Sequence, residues 1–313
     1  MLHRLAALGA VALLMVATLV MALAAATRGQ AGPGPGAESP DDRDKGPRPS
    51  RIPRKVEPAM VTVAHRGASG YRPENTLESV RLGIRQDADL VEVDVQQTKD
   101  GVLVVMHDTT LKRTTDVEQL FPDRGPWRIA DFTYAEIQKL DAGGWFDANY
   151  QGVRVPTLAE VLDELDGSGV GLLLEAKAPS RYPGVGRRIA EELSSRDGWA
   201  DGSRRLIVCS FDWAFVKDYK RRMPHTRVAV IGTPRYRDLA KIAEYADLVN
   251  PQFGTVNATY LRRVHQLGMQ CFSWTVDDPA EMRKLLDMGT DGVITNKPDV
   301  LEGLLRPGHR LAA

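Results

Sequence analysis

His65 and Arg66 stand side by side at the end of the apolar run Val61-Thr62-Val63-Ala64. That run reads as a buried strand, and the glycines, proline and Asn75-Thr76 that follow read as a loop leading into a helix. A general acid/base beside a fixed cation at a strand end suits phosphoester chemistry. Two further segments carry what such chemistry still needs. Glu92-Val93-Asp94 sets two carboxylates on one side of a strand, and Val105-Met106-His107-Asp108 offers a second histidine. Glu175 and Lys177 repeat the same spacing after Leu172-Leu173-Leu174.

Glu92, Asp94 and Glu175 are hard oxygen donors, a set that suits one divalent cation, Ca²⁺ or Mg²⁺, better than Zn²⁺. Such an ion would also relieve the repulsion of three clustered anions. With the ion in place one negative charge remains. Arg66 and Lys177 turn the site to one positive charge, which a singly charged phosphodiester neutralises. Arg66 can hold two phosphate oxygens in a fork, and Lys177 acts as a point charge. His65 and His107 supply the proton transfers: one takes a proton from the attacking oxygen and the other gives one to the leaving alkoxide. The sequence leaves open which does which, and metal ligation by either ring is the lesser alternative.

The strings HRGASGYRPENT at 65–76 and EVDVQQTKDGVLVVMHD at 92–108, with Glu175-Ala176-Lys177 and Trp274-Thr275-Val276, resemble the glycerophosphodiester phosphodiesterase family. The resemblance covers roughly residues 60–305; its first two motifs are long and specific, its last two short. It implies a (β/α)₈ TIM-type barrel and hydrolysis of a small glycerophosphodiester to glycerol 3-phosphate and an alcohol. The attacking oxygen is then a metal-polarised water or the glycerol 2-hydroxyl, acting through a cyclic phosphate. The resemblance also favours Trp274 as a platform for the glycerol carbons, with Phe211 a weaker candidate for the same role. Ala176 stands where a larger apolar residue is usual in the family, but its side chain should face the outer helices. A neighbouring reading keeps the chemistry and changes the substrate to a glycerol-phosphate wall polymer or a lysophospholipid. A reading from another class is a catalytically silent binding protein on the same barrel, against which the complete motif set argues.

The elements that must position these residues alternate. Strands are predicted at 61–65, 90–96, 102–107, 170–176, 205–211, 227–232, 247–250, 270–276 and 292–295, and helices at 76–86, 157–166, 184–195, 213–221, 235–244, 258–267 and 279–288. Alternation of this kind argues for a parallel sheet with helices outside. In a closed barrel, side chains such as Glu92, Asp94 and Glu175 converge at the C-terminal mouth. Nine strands are one too many for eight staves, and Thr98-Lys99-Asp100-Gly101 explains the surplus. It is a turn signal that makes 90–96 and 102–107 a hairpin, with Glu92 and His107 roughly opposite. Thr157 with Glu160 is a capping-box pattern, Asp278-Pro279 a helix start and Gly289 its stop. Asn75 or Thr76 is expected to cap the first helix. About residues 109–156 form an insertion after the second barrel strand, too long for an ordinary connection.

The chain of 313 residues has zero formal net charge, so nothing in its composition points to nucleic acid. Leu5 to Ala26 is an uncharged run preceded by His3 and Arg4. Residues 1–26 therefore read as a secretory signal or an uncleaved membrane anchor, and either places the rest outside the cytoplasm. Residues 27–58 read as a disordered linker, and 59–306 as the barrel. Cys209 and Cys271 fall in core strands and are expected to be buried free thiols.

Overall fold

The computed structural model describes residues 60–306; the expected signal or anchor and the linker lie outside the described residues. Among the described residues nine strands form: β1 (Val61–Ala64), β2 (Leu90–Gln97), β3 (Leu103–Val105), β4 (Gly171–Ala176), β5 (Leu206–Ser210), β6 (Arg227–Ile231), β7 (Leu248–Asn250), β8 (Gln270–Ser273) and β9 (Gly292–Thr295). Eight run parallel in the order β1-β9-β8-β7-β6-β5-β4-β2, and β1 pairs back to β2, closing the barrel. The ninth, β3, pairs antiparallel with β2, Val95 opposite Val105 and Gln97 opposite Leu103. The hairpin is thus an arm on the second stave. Met106 N–H donates to the Asp94 carbonyl at 2.8 Å, so His107 emerges level with Val93 and Asp94, one residue nearer the turn than Glu92.

Period-two alternation sorts each stave into two faces. Outward residues such as Val91, Val93, Val95, Leu172, Leu174, Val208 and Val230 pack under the helices, and Ala176 joins them as expected. Inward residues Val63, Leu90, Leu173, Ile207, Ala229, Leu248, Phe272 and Ile294 fill the barrel below the site. Both faces are dry, which is why the strands read as continuous apolar runs. Each large side chain buried in this way contributes about 1.5–3 kcal/mol. Gly292 makes room for one of them, since a Cβ there would lie 2.6 Å from the Phe272 ring.

The helices start where their caps say. Thr157 and Glu160 form the expected capping box, Asp278 caps with Pro279 in the first turn, and Gly289 ends that helix in the left-handed conformation. Thr76 is the cap of the first helix, Leu77–Arg85. A final helix, Pro298–Leu305, was not expected from the sequence. The 109–156 insertion folds into short helical turns around its own core of Leu111, Val117, Ile129, Phe132, Ile137 and Leu140. Cys209 and Cys271 are buried and unpaired.

Candidate active site

The chemistry-bearing residues sit at or just beyond the C-terminal ends of the staves, the end where this architecture is open to loops. On β2 the inward alternation Leu90, Glu92, Asp94 carries two carboxylates into the barrel. Parallel pairing sets Glu175 of β4 in register with Asp94. One oxygen from each of Glu92, Asp94 and Glu175 lies within 4.8 Å of the others, and all three residues are buried.

The loop after β1 holds this cluster from above. Arg66 adopts a left-handed backbone (φ 55), which aims its N–H at Glu92 Oε2, 2.8 Å away. Asn75, also left-handed (φ 57), clasps Asp94 twice: its Nδ2 donates to Oδ2 at 2.8 Å, and its Oδ1 accepts from the Asp94 N–H at 3.2 Å. Lys177 Nζ reaches Glu175 Oε1 at 2.8 Å and Asp94 Oδ1 at 3.3 Å. The Arg66 guanidinium lies 2.9 Å from Glu74 and 3.4 Å from Asp94. Glu92 accepts through Oε2 and Glu175 through Oε1.

The cations do not neutralise the cluster evenly. Burial pushes Glu175 up to about 8, and the Asp94 charge adds to it against the pull of Lys177. Glu92 is raised well above the usual carboxylate range by burial and by Asp94 and Glu175. Asp94 goes the other way: burial opposes its charge, but Lys177, Arg66, His107 and the Asn75 amide bring it to about 2. Three buried carboxylates this close together form a cluster that could hold a cation, which would favour their ionised forms.

The two histidines have different anchors. His65 Nδ1 lies 2.7 Å from Asn296 Oδ1. Asn296 is itself oriented, because its Nδ2 faces the Asp277 carboxylate at 2.6 Å, which can only accept. Its Oδ1 must therefore face His65, so Nδ1 carries the proton and Nε2 keeps its lone pair. Burial and the neighbouring Arg66 lower the His65 pKa to about 4, leaving the ring neutral at pH 7. His107 Nδ1 instead lies 2.7 Å from the Asp108 carboxylate. Arg113, from the insertion, grips Asp108 at 2.7 Å and Glu74 at 2.7 Å, tying the anchor of His107 to the partner of Arg66.

The remaining staves make an apolar wall. Phe211, just past β5, meets Trp274, just past β8, edge to face at 5.7 Å. Lys177 Nζ lies 5.5 Å from the centre of the Phe211 ring. Trp274 Nε1 donates to the Asn250 carbonyl at 2.7 Å, so the indole is fixed. One cavity is lined by His65, Arg66, Glu92, His107, Glu175, Lys177, Phe211 and Trp274; Asp94, buried against Glu92 and Glu175, does not line it. No residue of 109–156 lines that cavity, and Arg113 is the insertion's bond to its rim. All the candidate residues therefore converge. Asn296, Asp108, Arg113 and the Asn75 clasp were not singled out from sequence. Asp108 and Asn75 both stand inside quoted motifs, Asp108 next to His107 and Asn75 as a candidate helix cap.

Comparison with known proteins places these observations. Residues 65–300 match the glycerophosphoryl diester phosphodiesterase family model. A glycerophosphodiester phosphodiesterase of Bacillus subtilis is 35% identical over 257 residues, covering 77% of this chain and 85% of the relative. One of Caldanaerobacter subterraneus is 32% identical, covering 79% of this chain and 98% of the relative. Among solved structures, an Oleispira antarctica phosphodiesterase in complex with the product sn-glycerol-3-phosphate superposes with a TM-score of 0.70 at 27% identity, covering 78% of this chain and 96% of that one.

Proposed function

The chain belongs to the glycerophosphoryl diester phosphodiesterase family and is a glycerophosphodiester phosphodiesterase, and on that premise we propose that it is a metal-dependent hydrolase acting outside the cytoplasm, releasing glycerol 3-phosphate and an alcohol. The observation that carries the reading is the shared cavity, in which Glu92 and Glu175, two cations and two differently anchored histidines face one space, with Asp94 buried against the two carboxylates.

Glu92, Asp94 and Glu175 would hold one Ca²⁺ or Mg²⁺: they are buried, one oxygen of each lies within 4.8 Å of the others, and burial raises two of the carboxyls. Bound there, such an ion would supply charge to offset that building on the phosphoryl oxygens. Arg66 and Lys177 bind the remaining phosphate charge. His65, neutral and with a free Nε2, takes the proton of the attacking oxygen. His107, whose Nδ1 is held by the Asp108 carboxylate, gives its Nε2 proton to the leaving alkoxide. That proton matters because an alkyl alkoxide is a poor leaving group. Trp274 and Phe211 form the wall for the glycerol carbons.

The extracytoplasmic setting rests on the uncharged run Leu5–Ala26, kept as an anchor or removed, ahead of a linker and a barrel domain at 59–306. The test is release of glycerol 3-phosphate from glycerophosphocholine with and without a chelator, followed by addition of Ca²⁺ or Mg²⁺.

A further inference from the structure

Asn250 ends β7 on the inward face, two residues after Leu248 of the barrel core, and lines the site cavity. Its backbone carbonyl is used twice, accepting from Trp274 Nε1 at 2.7 Å and from the Gly232 N–H at 2.8 Å. The residue is 1% exposed, and among the described residues neither Oδ1 nor Nδ2 has a hydrogen-bond partner. A buried amide with both ends unmatched is rare in native proteins and calls for a ligand.

The position in the ring says which part of the ligand. In the order β1-β9-β8-β7-β6-β5-β4-β2, β7 stands four places from β2, diametrically across the barrel. Glu92, Glu175, Lys177, His65 and Arg66 come from β1, β2 and β4 and their ends. Cys209, Ile231, Trp274 and Ile294 come from the other staves, and Asn250 is the one buried polar side chain that lines the cavity among them. A substrate with its phosphate on the charged side must lay its organic part toward Asn250. The chemistry fits a hydroxyl there. A hydroxyl both donates and accepts, as a primary amide does, whereas a phosphate oxygen at neutral pH only accepts.

We propose that Asn250 is a specificity-determining residue whose amide binds the terminal hydroxyl of the substrate's glycerol, the one farther from the phosphate. This rests on the glycerophosphodiester reading above and deepens it. Trp274 and Asn250 then act as one unit, an aromatic face for the carbons and an amide for the hydroxyl, joined by the indole–carbonyl bond.

The test compares kcat/KM for glycerophosphocholine with that for its analogue lacking only the terminal hydroxyl, which keeps the hydroxyl next to the phosphate-bearing carbon. The wild-type enzyme is expected to favour glycerophosphocholine by about tenfold or more, because loss of the hydroxyl leaves the buried amide unmatched. Asn250→Leu, close in volume, is expected to turn over the two substrates alike. Equal turnover of the two by the wild-type enzyme, or a preference that survives in Asn250→Leu, overturns the inference. The wild-type comparison stands even if the variant does not fold. No turnover of glycerophosphocholine at all would instead refute the substrate reading on which the inference rests.

Discussion

Removing the cation should make the protein less stable as pH rises through neutrality. Glu175 is held at about 8 in the folded chain by burial and Asp94, against an ordinary 4.5. Between those values the unfolded chain has released this proton and the folded chain has kept it, so stability falls with rising pH. Glu92 is shifted in the same direction. His65 works against them at lower pH. Its folded value of about 4 lies below the ordinary 6.5, so it adds stability as pH rises to 6.5 and nothing beyond. Asp94, lowered to about 2, contributes stability that is lost only in strong acid, as pH falls from 3.8 through 2. The window from 6.5 to 8 therefore isolates the raised carboxyls. Over it Glu175 alone accounts for roughly 2 kcal/mol, or about 4–8 °C in Tm for a domain of this size. The assay is a thermal melt in chelator at pH 6.5, 7.2 and 8.0, repeated in saturating Ca²⁺ or Mg²⁺. With the ion bound, the carboxylates are ionised throughout and the slope should vanish, so that the ion stabilises more at pH 8 than at pH 6.5. A chelated protein whose Tm is flat or rises across this window refutes the reasoning, as does the same slope with and without the ion.

His65→Ala and His107→Ala should each lower turnover by about 10²-fold or more while the melting temperature is kept; a folded His107→Ala enzyme with near-normal turnover removes that ring from the mechanism. Trp274→Ala should mainly erase the preference for glycerophosphocholine over a diester lacking the glycerol unit, since it removes apolar contact worth about 1–3 kcal/mol. Lys177→Ala should instead slow both substrates alike, because any phosphodiester meets that charge. Equal loss on both substrates in Trp274→Ala would make the indole structural and pass the platform to Phe211.

Much of the site was legible because barrel strands state their own geometry. Glu92 and Asp94 had to share a face, and the inward alternation on β2 and β4 confirms it. The Asp-Gly turn at 100–101 identified β3 as a hairpin arm, with Gly101 at φ 91. What escaped depends on contacts that only closure creates. His65 and Asn296 are 231 residues apart and meet because β1 pairs with β9. Arg113 reaches Glu74 from an insertion with no periodicity to read. The sequence offers Asn75 or Thr76 as the cap of the first helix. Thr76 does the capping, while the left-handed backbone at Asn75 turns its amide onto Asp94, a use that composition cannot signal. The final helix was missed although Pro298 marks its first turn, a position where proline is at home.

The central claim is that one cation, held by Glu92, Asp94 and Glu175, serves hydrolysis of glycerophosphodiesters in this cavity. Glycerophosphocholine incubated with the enzyme and followed by phosphorus NMR tests it most directly. The expected result is glycerol 3-phosphate as the sole phosphorus product, its formation abolished by chelator and restored by Ca²⁺ or Mg²⁺. Choline phosphate as the product, or full turnover in excess chelator with no metal retained by elemental analysis, would contradict it.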